Sequence, residues 1–316
     1  MTPRRILVTG AAGFVGQHLL PVLRVEFPEA VVIASAAEAR SGFRGLDVTQ
    51  PDAVTAAIRD IRPDSCVHLA GIAAPTEARR DPDLAWRVNL HGTLTLARAI
   101  MAEAPECRLL LVSSAEVYGA SARVGTPLDE AALPAPANTY AATKAAADLA
   151  IGALAAEGLR AIRVRPFNHT GPGQSATYVV AAFARQVARI GAGLQPPIMR
   201  VGALEPRRDF LDVRDVCAAY AACLGAETLE PGLILNLASG TPRRIGDILR
   251  DLLTLAGVAA EIETGSALLR PSEIPVASGD AGRAAALLGW RPTIDWDTTL
   301  RDVLADWRRR VPDEPP

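Results

Sequence analysis

Histidine and cysteine are scarce in this chain, and neither is arranged to grip a metal. The four histidines among 316 residues are scattered, with no i, i+4 pair around a carboxylate, so no metal site is expected. The four cysteines (Cys66, Cys107, Cys217 and Cys223) contain no CxxC pair and lie in apolar or helical surroundings. They read as buried free thiols of a reducing compartment, the cytoplasm, and not as a disulfide framework. An excess of either charge is also missing. A net charge of −2 gives no electrostatic case for nucleic acid or an acidic membrane surface. An anionic ligand must therefore be met by basic groups placed locally. Long hydrophobic runs are absent. Met1-Thr-Pro-Arg-Arg leads into an apolar stretch too short for a signal peptide, and nothing approaches a membrane-spanning length. No internal repeat or low-complexity linker occurs.

What is present fits an ordinary soluble globular chain, 49% hydrophobic and 22% charged. Its length suits one large α/β unit or two packed domains. Ile6–Val8, Val31–Ile33, Cys66–Leu69, Leu109–Val112 and Ala161–Arg165 read as buried strands. Helical patterns alternate with them over Val15–Glu26, Pro51–Arg59, Leu84–Ala104 and Thr139–Glu157. Strict alternation predicts an α/β fold with a doubly wound, Rossmann-like parallel sheet. After Arg165 the chain turns rich in proline, glycine and isolated polar residues. Helices are predicted at Val179–Ile190, Val213–Leu224 and Ile245–Ala256, with a strand at Leu233–Leu237 and a last helix ending near Arg310. The predicted division is residues 1–165 plus about 209–240 in the large domain. About 166–208 and 241–316 then form a smaller α/β domain. Abundant alanine reflects helix propensity and genome composition more than function.

Gly10, Gly13 and Gly16 sit between the first strand and the first helix. Glycine there permits a tight turn and close approach of a pyrophosphate, while the helix N-terminus offers free N–H groups and partial positive charge. A carboxylate selecting NAD would stand near Ala34 or Ser35, and neither is acidic. Arg40 and Arg44 follow soon after, so the pattern favours NADP(H) and leaves NAD(H) open. Asp47 is placed either to meet the adenine edge or to cap the turn at Thr49–Asp52.

Tyr140-Ala-Ala-Thr-Lys144 puts a phenol and an ammonium one helical turn apart on one face. A free phenol titrates near ~10, and a neighbouring cation is expected to lower that value. Tyrosine then becomes an acid or base for a carbonyl or alcohol. Ser113 and Ser114 close the fourth predicted strand, where a hydroxyl can donate to developing negative charge on oxygen.

With His68-Leu-Ala-Gly71, Val88-Asn89, Arg207-Arg-Asp-Phe-Leu-Asp212 and Leu288-Gly-Trp290, these segments resemble the extended short-chain dehydrogenase/reductases that act on nucleotide sugars. Arg165-Pro-Phe-Asn-His-Thr-Gly-Pro-Gly-Gln174, Ile198-Met-Arg-Val-Gly202 and Pro206-Arg-Arg-Asp-Phe210 are similar to the GDP-mannose branch, above all to its GDP-6-deoxy-4-keto-mannose reductases. The resemblance implies that the smaller domain binds a GDP-sugar and that Tyr140 protonates the C4 oxygen. It has Ser114 hydrogen-bond that oxygen and Lys144 bind the nicotinamide ribose. Phe14, Val15, Val48, Leu69, Ala70, Gly71 and Asn89 would join the glycines, Arg40 and Asp47 around the cofactor. Glu116, Asn168, Val179, Arg200, Arg208, Arg270 and Glu273 would line the substrate, arginine suiting phosphate through its planar fork. The helices 84–104 and 139–157 resemble those that pair in a homodimer.

Other members of the fold do different chemistry. A GDP-mannose 4,6-dehydratase would use Glu116 as a catalytic base, but needs a polar or acidic neighbour where this chain has Ala115. A GDP-fucose-type epimerase/reductase would need a cysteine near Glu116. A UDP-sugar 4-epimerase would show an acidic second-strand end. A catalytically silent NADP(H) sensor would have no need for Ser114, Tyr140 and Lys144 together.

Overall fold

The computed structural model describes residues 2–265 and 274–313. Its strands are β1 (Arg5–Thr9), β2 (Val31–Ala36), β3 (Arg44–Gly45), β4 (Ser65–His68), β5 (Arg108–Val112), β6 (Ala161–Pro166), β7 (Asn168–Thr170), β8 (Ile198–Val201), β9 (Arg207–Asp212), β10 (Ile234–Leu237), β11 (Pro242–Arg244), β12 (Glu261–Thr264) and β13 (Val276–Ala277). Seven of them form one parallel sheet in the order β10-β6-β5-β4-β1-β2-β3. The order reverses beside β1, and in such sheets ligands bind outside the carboxyl ends of the strands at that point.

Alternate residues of these strands face opposite apolar layers, because the side-chain period of a strand is two. Ile6, Val8 and Val67 pack with the helices Phe14–Glu26 and Val213–Gly225. Leu7, Cys66 and Leu109 pack with Pro51–Ile61 and Thr93–Glu103. A third apolar cluster joins the helices Val179–Gly191, Ile245–Ala256 and Trp296–Arg310. It underlies a second, four-stranded sheet in which β9 lies between β11 and β13 and also pairs with β7. β8 and β12 make a separate two-stranded ribbon.

The stretch read as one helix over Leu84–Ala104 is broken. An α-helix at Pro82–Trp86 passes into a π-helical turn, Arg87–Gly92, before α-helix resumes at Thr93–Glu103. Such turns insert a residue into the helical ladder and are frequent at functional sites. Among the described residues no helix is long and apolar enough to cross a membrane.

Candidate active site

The turn after β1 is built by close backbone approach. Gly10 has φ +65°, and a Cβ there would lie 2.6 Å from the Ala70 nitrogen. A Cβ on Gly16 would lie 2.1 Å from the Ala11 carbonyl oxygen. Gly13 begins the helix Phe14–Glu26, whose first turn carries no side-chain cap and no acidic residue. Its N-terminal donors and partial positive charge are therefore unopposed by any side chain of the first turn, an arrangement suited to a phosphate. Phe14 stacks on His169 with ring centroids 6.4 Å apart, and Val15 follows on the same turn. β2 ends at Ser35-Ala36 without a carboxylate, and the Ser35 hydroxyl donates to the Val8 carbonyl. Arg40 is exposed, its guanidinium over the Phe43 ring at 5.0 Å, while Arg44 pairs with Asp60 at 2.7 Å. Asp47 spends Oδ1 on the Thr49 amide and hydroxyl, at 2.9 and 2.8 Å. The amide bond does most to hold its carboxyl below the ordinary value. Val48 is buried and fills the space that a Cβ on Gly92 would need.

The catalytic candidates converge at the carboxyl end of β5. Ser113 stays with the sheet, its amide donating to the Val164 carbonyl. Ser114 instead caps the 3-10 segment Ala115–Val124, its hydroxyl oxygen accepting the Glu116 N–H at 3.1 Å. The hydroxyl proton is left to donate, and the Ser114 side chain lies beside the Tyr140 phenol, whose pKa it lowers. Tyr140 opens the helix Thr139–Ala156, whose N-cap Asn138 accepts from the Ala141 N–H and donates to Glu116 Oε2 at 3.4 Å. Glu116 faces both Tyr140 and Arg208, bringing β9 to the same place. Ala115, beside Glu116, packs on an apolar cluster with Val117 and Tyr118.

The expected cation effect on the phenol is not what this structure shows. Burial pushes the Tyr140 phenol up, Glu116 and Tyr178 push the same way, and the Ser114 hydrogen bond only partly opposes them. Lys144 takes no part in that balance: its ammonium donates to the Val112 carbonyl at 2.5 Å. Burial also drags Lys144 down to about 8.

Behind these groups runs a chain of hydrogen bonds that spacing alone does not reveal. The Thr93 hydroxyl donates to the Asn89 carbonyl at 2.7 Å, so its oxygen must accept His68 Nε2–H at 2.9 Å. His68 Nδ1 then accepts the Thr9 hydroxyl at 2.7 Å, and that oxygen receives the Ala70 N–H. Asn89, in the π-helical turn, brackets the Ile72 backbone and donates to Thr143 Oγ1 at 2.9 Å. Thr143 donates to the Tyr140 carbonyl at 2.8 Å. The network ties the nucleotide turn, Leu69-Ala70-Gly71 and the Tyr140 turn into one frame. Thr143 lies inside the Tyr140–Lys144 stretch and was open to recognition there. His68 opens the recognisable His68-Leu-Ala-Gly71 segment, whereas Thr9 and Thr93 carry no such signal.

The remaining substrate candidates divide. Asn168 donates to the Asp209 carbonyl at 3.2 Å, which fixes it beside β9, and Arg208 donates to the Arg207 carbonyl. Val179 starts its helix just after Tyr178, whose phenol faces Tyr140. Arg200 is exposed on the β8–β12 ribbon, 3.6 Å from Glu263. Arg270 and Glu273 lie outside the described residues. Among the described residues no cluster of three histidine, cysteine or acidic side chains could hold a metal.

A glycine turn after the first of seven parallel strands, with Ser114, Tyr140 and Lys144 at the strand ends, defines a nucleotide-dependent enzyme class. Residues 6–238 match the NAD dependent epimerase/dehydratase family, and the chain belongs to it. It is 36% identical over 312 residues to the GDP-6-deoxy-D-mannose reductase of Pseudomonas aeruginosa, covering 98% of this chain and 99% of that protein. The solved structure of RMD from Pseudomonas aeruginosa complexed with NADPH is similar with a TM-score of 0.86 at 36% identity, over 98% and 99% of the two chains. The Thermus thermophilus UDP-glucose 4-epimerase, solved in complex with NAD, is 28% identical with a TM-score of 0.82, over 96% and 99%.

Proposed function

We propose that this protein is an NADP(H)-dependent reductase of a GDP-4-keto-6-deoxy-mannose-type sugar, reducing the C4 ketone to give GDP-D-rhamnose. The observation that carries this is the Ser114–Tyr140 pair of hydroxyls beside the glycine turn, with Lys144 one helical turn away. Likeness over nearly the whole length to a GDP-6-deoxy-D-mannose reductase supports the substrate class.

The bound cofactor supplies hydride to the ketone carbon. Gly10, Gly13 and Gly16 with the uncapped helix end would hold its pyrophosphate, and Arg40 its 2′-phosphate. Tyr140 donates its proton to the ketone oxygen as negative charge gathers there, and Ser114 donates a second hydrogen bond. A phenol pushed upward by burial keeps that proton at neutral pH, as a donor for reduction must. Lys144 spends one of its three donors on Val112 and has two for the nicotinamide ribose. Asn168, Arg208 and Arg270 would hold the diphosphate. Residues 166–208 and 241–316 would form the sugar-nucleotide side of the cleft. Glu116 could serve a dehydratase, but its neighbour Ala115 has no proton to give and is turned to an apolar cluster. We further infer a cytoplasmic homodimer through the helices Thr93–Glu103 and Thr139–Ala156, on which Leu149 stands 56% exposed.

Two incubations test the reading. Purified protein given the 4-keto sugar and NADPH should oxidise NADPH, and GDP-mannose alone should remain unchanged. Consumption of GDP-mannose without added reductant would establish a dehydratase instead.

A further inference from the structure

The helix Phe14–Glu26 carries two rings one turn apart on one face, Phe14 and His18. They meet edge to face with centroids 5.4 Å apart. Phe14 in turn stacks on His169 of β7, whose own ring is fixed by a 3.0 Å hydrogen bond from Nδ1 to the Phe167 carbonyl. His18 reaches further along the chain. Its Nε2 lies 2.8 Å from the Pro172 carbonyl oxygen. A carbonyl can only accept, so Nε2 carries the proton and donates it to that bond.

The loop held in this way, Gly171–Gln174, is pressed against the helix. A Cβ on Gly171 would lie 2.5 Å from Val213 Cγ1 and 3.8 Å from Phe14 Cζ. Buried Gln174 folds the loop back on β7: Oε1 accepts the Thr170 hydroxyl at 2.7 Å and Nε2 donates to the His169 carbonyl at 3.0 Å. The last helix, Trp296–Arg310, takes hold from another side. Asp306 Oδ2 accepts the Gly173 N–H at 2.8 Å, and Arg310 donates to the Gln174 carbonyl at 3.1 Å. Asp306 and Arg310 are themselves paired at 3.0 Å. The loop is thus strung between the helix of the glycine turn and the last helix, with Asn168 at the head of the strand that leads into it.

We propose that His18 is a positioning residue for the sugar nucleotide. From the helix of the glycine turn it fixes the loop Gly171–Gln174, and through that loop it sets Asn168 where the diphosphate binds. The proposal rests on the reading of Asn168 as a diphosphate ligand. Asn168 gives one amide proton to the Asp209 carbonyl and has a second to offer. A strand end already held in place has little freedom to lose when a ligand arrives, whereas a loose one must be ordered at the expense of affinity. The Nε2–H bond to Pro172 supplies that order from a side chain one turn beyond the helix end that faces the cofactor.

Calorimetric titration of GDP into the NADP+-loaded protein tests this. His18→Phe keeps a ring against Phe14 and removes the donor. It should weaken GDP about fivefold, the contribution of one hydrogen bond, and leave NADP+ affinity unchanged. His18→Gln, whose amide N–H can stand in for Nε2–H, should recover most of that loss. In turnover the same loss should fall on KM for the keto sugar and spare kcat. A merely structural role for His18 would weaken NADP+ and GDP together without rescue by glutamine. That pattern, or GDP affinity unchanged in His18→Phe, overturns the proposal. If a thermal melt shows His18→Phe to be unfolded, His18→Leu takes its place with the same expectation. Failure of GDP to bind the wild type would sink the GDP-sugar reading instead. UDP shares the diphosphate, so the same comparison with UDP then decides on His18, and binding of neither nucleotide overturns both.

Discussion

Tyr140 and Ser114 each bring a hydroxyl proton to one place, but different parts of the chain hold them. Tyr140 rides on its helix, and its phenol has no capping duty. Tyr140→Phe should therefore lower turnover by about 10²- to 10⁴-fold while leaving NADPH affinity nearly intact, as measured by steady-state kinetics and fluorescence titration. A large loss of binding would contradict that assignment. Ser114 does two jobs, since its oxygen also caps Glu116 N–H. Ser114→Ala should cost about 1 kcal/mol of stability from the lost cap besides about 10² in turnover. Denaturant melts would expose the first loss and NADPH oxidation the second. The positions of these groups were legible in the sequence because a helical turn fixes which residues share a face. The direction of the phenol's shift was not, since it depends on burial and on Lys144 turning to Val112. Neither can be read from spacing.

The π-helical turn at Arg87–Gly92 links two elements far apart in sequence. Asn89→Ala should leave the Ile72 backbone without its bracket and Thr143 without its donor. Unpaired buried groups cost about 1–3 kcal/mol, so its urea midpoint should drop clearly. The Thr143 hydroxyl that holds the Tyr140 carbonyl would lose its own support, and turnover should fall with it. A variant as stable as the wild type would show that the bracket is dispensable. The central strands and their helices were readable because their apolar periods are long and unbroken. This turn was not, because Leu84–Ala104 has a continuous helical pattern that hides one inserted residue. β9 was equally hidden. Arg207-Arg-Asp-Phe-Leu-Asp212 has no strand alternation strong enough to be predicted, and it is a strand because β7, β11 and β13 pair with it.

At the scale of the molecule, buried His68 and half-buried His169 make stability depend on pH. Burial lowers His68 to about 3, and burial likewise lowers His169. In the unfolded chain both take up protons near ~6.5. Between those values the unfolded state binds more protons, so stability is fully present above pH 6.5 and declines as pH falls. Each such group contributes a slope of at most about 1.4 kcal/mol per pH unit. Urea unfolding between pH 5 and 7 should show this decline, and His68→Gln should flatten it; an equal slope in that variant would refute the assignment.

The four buried thiols carry a further consequence. Cys66 and Cys107 lie on one side of the seven-stranded sheet, Cys217 and Cys223 on the other. A thiol reagent can modify either pair only when its own layer opens, so the pace of alkylation at each cysteine, read by mass spectrometry, would clock the two halves of the sandwich independently and reveal which one lets go first.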